Sequence, residues 1–244
     1  LIDIKAAGIN HFTFMLDIRR QGTGEDLYPL FRERLSHMAA GFQPLTRRIF
    51  EAFGVCPATG DGHLAEYTHW SHDPQTRPWG KYGLHLYDWD GAEKHRDHMW
   101  DEIEAMAAGA PISGRLRSGS GERAVPIIEA VMENRNAYEL AVDIPNRGYI
   151  SNLPDDAIVE VPAVVSRFGI NGVGVGPLPE PIAAVCRTQL TVASLAVDAA
   201  VQGSRELLLQ ALLMDPMVND MDQAQAMMHE MLAVQREYLP QFWG

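Results

Sequence analysis

The chain has 244 residues, 46% of them hydrophobic and 21% charged, and a formal net charge of −12. That is enough apolar material for one large domain or two small ones, and the acidic balance argues against a nucleic-acid surface, which needs clustered Lys and Arg. The two cysteines, Cys56 and Cys186, make neither a CxxC pair nor a disulfide framework, so a reducing cytoplasm is expected. No apolar run is read as reaching the roughly 20 residues of a membrane span. The opening LIDIKAAGIN lacks the charged-then-apolar order of a signal peptide.

Residues 4 to 19 read as two β runs, IKAAGIN and FTFMLDIR, parted at Gly8-Ile9-Asn10. Leu27, Leu30, Phe31, Leu35 and Met38 then recur at helical spacing. Pro44 opens a second helix with Leu45, Ile49 and Phe53 on one face, and Gly54 is a plausible stop. Residues 54 to 80 are dense in Gly, Pro, His and Trp without a period, as a functional loop or lid would be. Helices are expected over 90 to 109, with Asp90 as cap, and over 122 to 133, where Pro126 fits only the first turn. The runs YELAVDI, RGYI, AIVEVPAVV and INGVGV read as strands, followed by a long helix from 182 to 214 and a last one from 222 to 238. Helices dominate and βα alternation is missing. The expected class is therefore α+β, mainly helical with a small mixed sheet.

Few motifs carry chemistry by themselves. GVGVG at 172 to 176 is followed by PLPEP rather than a helix start, so it reads as a strand end and tight turn, not a dinucleotide fingerprint. His63, His69 and His72, with Glu66 and Asp73 between them, match neither HExxH nor a structural zinc spacing, and read first as polar cleft lining. His95 and His98 fit a solvated helix face. GDGHLAEY is denser: Asp61, His63, Glu66 and Tyr67 crowd titratable groups that can tune a general acid or base. Equally, it can be a short capped helix in which Asp61 satisfies backbone amides and Tyr67 packs. Asn10-His11 at the mouth of an apolar strand suggests a polar site that another group completes.

Taken together, AGINHFTFMLDIR, GDGHLAEYTHW and NRGYISNLPDDAIVEVPAVV resemble, in order and approximate spacing, the C-terminal half of glycoside hydrolase family 4. The last block is the most specific: Asn146, Gly148, Ile150, Asn152, Leu153, Pro154 and then Glu160 to Pro162. The resemblance covers nearly the whole chain and implies one domain over residues 1 to 244. It implies a fold like the C-terminal domain of lactate dehydrogenase, with the Rossmann half absent. It also implies NAD and a divalent metal, usually manganese, in the full-length enzyme. Such enzymes oxidise the sugar's C3 hydroxyl, remove the acidified C2 proton, expel the aglycone by elimination, add water and return the hydride, unlike the two-carboxylate scheme.

By the same resemblance, His11 is the histidine of the family's GxNH motif, a metal ligand, and Asn10 lies at the substrate hydroxyls. Tyr67 is a candidate for the C2 base, provided that nearby positive charge stabilises its phenolate. Asp61 or His63 can take that role instead or hold the sugar, with Glu66 beside them. The dinucleotide-binding half is absent here, and so is the cysteine that partners the GxNH histidine on the metal; Cys56 does not match it. NAD is therefore not expected to bind this chain alone, metal is expected to bind poorly, and turnover is expected to need an N-terminal half, in cis or as a separate chain. A fragment, a separately made domain or one piece of a split enzyme all fit. The loop looks closer to the α-galactosidase and α-galacturonidase branch than to the 6-phosphoglycosidases, while Arg19 and Arg77 are potential phosphate or carboxylate partners. The partners implied are a small sugar and further copies of the chain in a dimer or tetramer, with no nucleic acid and no membrane. A non-catalytic oligomerisation or sugar-binding module is the alternative, supported by 11 methionines suited to adaptable interfaces. A metallohydrolase built on the loop histidines is a third reading.

Overall fold

The computed structural model describes residues 1–72, 80–85, 87–112, 114 and 121–244. Asp73 and Arg77 lie outside them. The described chain forms two compact units. The first comprises Leu1–Leu84, Tyr138–Val164 and Asn171–Gly244; the second comprises His85–Ala137 and Val165–Ile170.

In the first unit β1 (Ile2–Ile9) and β2 (Phe12–Arg20) form an antiparallel hairpin, in register from Ile2↔Arg20 to Ile9↔Phe12, with a bulge at Lys5/Ala6. Alternating apolar residues put Ala7, Ile9, Phe12 and Phe14 into the core, where each large side chain contributes about 1.5–3 kcal/mol on burial. α1 (Tyr28–Ser36) follows; the Tyr28 hydroxyl donates to the Met15 carbonyl and accepts from the Cys56 amide, pinning helix to strand. α2 (Pro44–Phe53) starts at Pro44 and ends at Gly54 in the left-handed region, as its sequence requires.

The stretch expected as a loop is partly ordered: β3 (Cys56–Pro57) pairs antiparallel with β2, and α3 (Asp61–Glu66) follows. The sheet is completed by β4 (Ala137–Pro145), β5 (Ile158–Ser166) and β6 (Gly169–Gly172) in the order β3-β2-β1-β5-β4, with β6 on β5. β1 and β5 are antiparallel, and one isolated parallel bridge joins Ile150 to Gly176.

RGYI is not a strand. Arg147 and Gly148 take positive φ, and the buried Asn146 side chain donates to the carbonyls of Ile150, Leu153 and Pro154 while accepting from the Ile150 amide. GVGVG closes against this turn: a Cβ at Gly172 would lie 2.6 Å from the Tyr149 ring.

Among the described residues of the second unit are the helices α4 (Trp89–Ala107) and α5 (Ala124–Glu133). α4 is capped by Asp88, which accepts from the Gly91 amide, rather than by Asp90.

Back in the first unit, the long C-terminal helix is broken into α6 (Glu180–Gln202) and α7 (Arg205–Met214), before α8 (Met221–Val234). Gly203 takes φ +67 and a Cβ there would meet the Gln241 carbonyl at 2.0 Å; Ser204 then caps α7 by accepting from the Leu207 amide. One core joins the hairpin to α2, α3, β5 and the start of α6; a smaller one gathers Ala199, Met228, Leu232 and Phe242. Among the described residues, α6 is long and apolar enough to cross a membrane by length and composition alone. The expectation that no run approaches that length is corrected here. Small and β-branched residues make it apolar, although Arg187 and Asp198 lie within the helix.

Candidate functional site

Gly8-Ile9-Asn10-His11 is the tip of the hairpin. Gly8 faces Thr13 so closely that a Cβ would sit 2.2 Å from the Phe12 carbonyl oxygen. Ile9 is buried, and Asn10 and His11 form the two-residue connection exposed at the end. His11 takes φ +63, a left-handed backbone that costs a non-glycine residue energy and that only surrounding contacts sustain. Those contacts come from the neighbouring loop: the Thr59 hydroxyl donates to the His11 carbonyl (3.0 Å) and the Tyr67 hydroxyl to the Asn10 carbonyl (2.8 Å). The Tyr67 ring also stacks on Phe12, centroids 5.0 Å apart.

α3 is anchored by Asp61. Its carboxylate accepts from the Leu45 amide (3.1 Å), the Thr46 amide (2.8 Å) and the Thr46 hydroxyl (2.7 Å), at the free N-terminus of α2. The Gln43 side-chain oxygen accepts from the Asp61 amide in return. Both carboxylate oxygens are thus engaged, and Asp61, expected as an acid or base, acts here as a buried structural clamp.

Held this way, α3 presents His63 and Glu66 one turn apart on one face, with His63 Nδ1 3.4 Å from a Glu66 oxygen. The His63 ring lies 4.0 Å from that of His11. One donor atom from each of His11, His63 and Glu66 lies within 4.8 Å of the other two, and all three residues are exposed. Among the described residues no other trio of His, Cys, Asp or Glu meets that spacing. Two imidazoles and a carboxylate suit a divalent transition metal, so these residues fit an ion of the class that the sequence resemblance implies.

Four of the six expected site residues, Asn10, His11, His63 and Glu66, and the backbone-bonded Tyr67 therefore converge at one tip. Asp61 faces away from it. Burial pushes the Tyr67 hydroxyl above its usual range, with the charge of Glu66 and the nearby Cys186 adding to the push.

Two residues not singled out as site residues from sequence interact electrostatically with His11. Asp143 on β4 and Glu160 on β5 have carboxyls raised by burial; His11 pulls both down, while for Glu160 the Thr13 side chain lowers and the Asp143 charge raises it further. Glu160 pairs with Gly8 across the sheet. The VEVP motif was the only signal for it.

The other candidates do not join the cluster. His72 Nε2 lies 2.8 Å from the Ala65 carbonyl, which holds the ring against α3, and His69 sits on a short 3-10 turn over His69–Ser71. His98 faces Glu102 on the solvated α4. Arg19 is paired with Asp17 at 2.8 Å. Cys56 and Cys186 are buried, and burial raises their thiols to about 11 and about 12.

The family model for the "Family 4 glycosyl hydrolase C-terminal domain" matches residues 6–218. The α-galactosidase of Rhizobium meliloti (strain 1021) is 32% identical over 99% of this chain and 51% of its own length. The α-galacturonidase of Bacillus subtilis (strain 168) is 28% identical over 95% of this chain and 54% of its own. The chain thus spans about half the length of the curated relatives it matches. Among solved structures, one described as a glucosidase of Bacillus subtilis superposes with a TM-score of 0.80 at 26% identity, covering 95% of this chain and 55% of that one. The 6-phospho-β-glucosidase of Thermotoga maritima, solved with manganese, NAD+ and glucose-6-phosphate, shares the fold at a TM-score of 0.77 and 20% identity, covering 98% of this chain and 54% of that one.

Proposed function

Because this chain belongs to family 4 of the glycosyl hydrolases, as their C-terminal domain, we propose that it supplies the sugar- and metal-facing half of a glycosidase that uses NAD and manganese. The substrate class is an α-galactoside, α-glucoside or α-galacturonide, in keeping with what its relatives are named for. The observation that carries this reading is the convergence of Asn10, His11, His63, Glu66 and Tyr67 at the hairpin tip.

When bound, NAD supplies a reversible hydride acceptor at C3, and the metal polarises the C2 and C3 oxygens. The residues of this chain do the rest. His11 would hold the ion through an imidazole nitrogen. Asn10, at the turn, orients the sugar hydroxyls. Tyr67 would take the C2 proton, which requires its hydroxyl to leave the Asn10 carbonyl and nearby positive charge to offset the burial that now raises it. Asp61 is assigned no chemical step, since its two oxygens are taken up by α2.

The reading treats residues 1 to 244 as one functional domain and requires a dinucleotide-binding half, in the same polypeptide or as a partner chain; without it no turnover is expected. It places the protein in the reducing cytoplasm, as a homodimer or tetramer. Exposed apolar residues on α6 and α8, among them Val197, Val201, Met231 and Val234, offer that assembly a surface. Hydrolysis of a nitrophenyl α-galactoside, α-glucoside or α-galacturonide should require both NAD+ and Mn²⁺, stop with EDTA, and fall by at least about a hundredfold in His11→Ala. Full activity in that variant would remove His11 from the site.

A further inference from the structure

We infer that α4 is a self-pairing surface, through which two copies of this chain associate by laying their α4 helices antiparallel about a two-fold axis. Neither the hairpin tip nor the apolar residues of α6 and α8 take part in this contact. α4 (Trp89–Ala107) runs for 19 residues without one buried residue. Its indoles lie open instead: Trp89 is 76% exposed and Trp100 62%. Trp and Arg dominate the centres of protein interfaces, and on this helix they stand together.

The order of the residues says which partner fits. Trp89, Glu93, Arg96 and Trp100 follow one another at spacings of four, three and four, so they form one seam along one face of the helix. The seam reads ring, acid, base, ring, and is complementary to itself when reversed. In an antiparallel pair centred between Glu93 and Arg96, Trp89 lies opposite the partner's Trp100, and Glu93 opposite the partner's Arg96. Each contact then occurs twice, as a two-fold interface requires. A parallel pair in register would set Glu93 against Glu93 and Arg96 against Arg96, which like charges oppose.

The seam is ready for that exchange. Within one copy Arg96 lies 3.2 Å from Glu93 and 3.0 Å from Asp97, all three side chains being well exposed. Ion pairs of this kind are weak and change partners readily. Arg96, Asp97, Trp100 and Asp101 line a surface hollow of about 280 Å³, a seat for the partner's Trp89 against Trp100. The Trp100 indole N–H donates to the Glu104 carboxylate at 2.9 Å, which orients the ring beside the hollow. Two indoles per copy, each covering at most about 150–250 Å², place the contact at the small end of specific interfaces, so association is reversible and depends on concentration.

Sedimentation equilibrium of the purified protein over a wide concentration range tests the pairing. The parent is run beside Arg96→Glu, Glu93→Arg and the double variant Glu93→Arg/Arg96→Glu, with circular dichroism and thermal melts to show that each folds. Either single reversal sets like charges together across the seam and should weaken association by about tenfold or more. The double variant, which restores opposite charges across it, should recover parental association. Emission of the parent should also move to shorter wavelength as concentration rises and its indoles leave water. A parent that stays monomeric overturns the pairing, as does a double variant that folds but fails to recover. An assembly that neither single reversal weakens also overturns it, while leaving untouched the proposed function, which rests on the hairpin tip.

Discussion

Asp61 sits in the most chemically suggestive stretch of the chain, yet its carboxylate receives three hydrogen bonds from the first turn of α2. A carboxylate in that position offsets the exposed amides and the positive end of the helix dipole at once. Asp61→Ala should therefore lower stability by about 3 kcal/mol in urea unfolding, since bonds to a charged group are worth roughly 1.5–3 kcal/mol each and their loss leaves buried donors unpaired. A variant of unchanged stability with lost catalysis would return Asp61 to the chemistry. The cysteines behave in the opposite sense. With thiols raised to about 11 and about 12, Cys56 and Cys186 stay protonated at neutral pH, and their reactivity climbs only as pH rises towards those values. Disulfide-exchange reagents should label the native protein at least about a hundredfold more slowly than the protein in guanidinium. Rapid native labelling at about pH 8 would contradict their burial.

At the scale of elements, the hairpin and α3 carry the site. Gly8 lets β1 and β2 close tightly enough to present Asn10 and His11 as a two-residue tip. Gly8→Ala should cost about 2 kcal/mol or more by overpacking and should weaken Mn²⁺ binding as well, because the shift is passed directly to His11. A stable variant with intact Mn²⁺ binding would show that the tip tolerates a wider hairpin. Much of this was legible in the sequence: two β runs parted at Gly8-Ile9-Asn10, α2 between Pro44 and Gly54, and the helical C-terminal region. The errors have physical causes. RGYI carries β-prone residues, but the Asn146 side chain bonds four backbone groups and folds the segment into a turn, a tertiary effect that propensity does not encode. The helix read through 182 to 214 has continuous apolar periodicity, and Gly203 breaks it because the segment around Gln241, far away in the chain, needs the space a Cβ would fill.

Across the whole molecule, the candidate site was legible only as separate pieces. The run GDGHLAEY displayed its titratable groups, but not that His63 and Glu66 face His11 while Asp61 faces α2. That Asp143 and Glu160 act electrostatically on His11 was not legible, because both come from the far half of the chain, Glu160 through its pairing with Gly8. The proposed chemistry differs from the two-carboxylate scheme of glycoside hydrolysis in a feature open to measurement: besides oxidation at C3, C2 would lose and regain a proton. Turnover of an α-galactoside by the protein together with its dinucleotide-binding half, with NAD+ and Mn²⁺ in deuterium oxide, tests this directly. The account predicts deuterium at C2 of the released sugar by mass spectrometry and NMR; hydrolysis that leaves the C2 proton in place would contradict it.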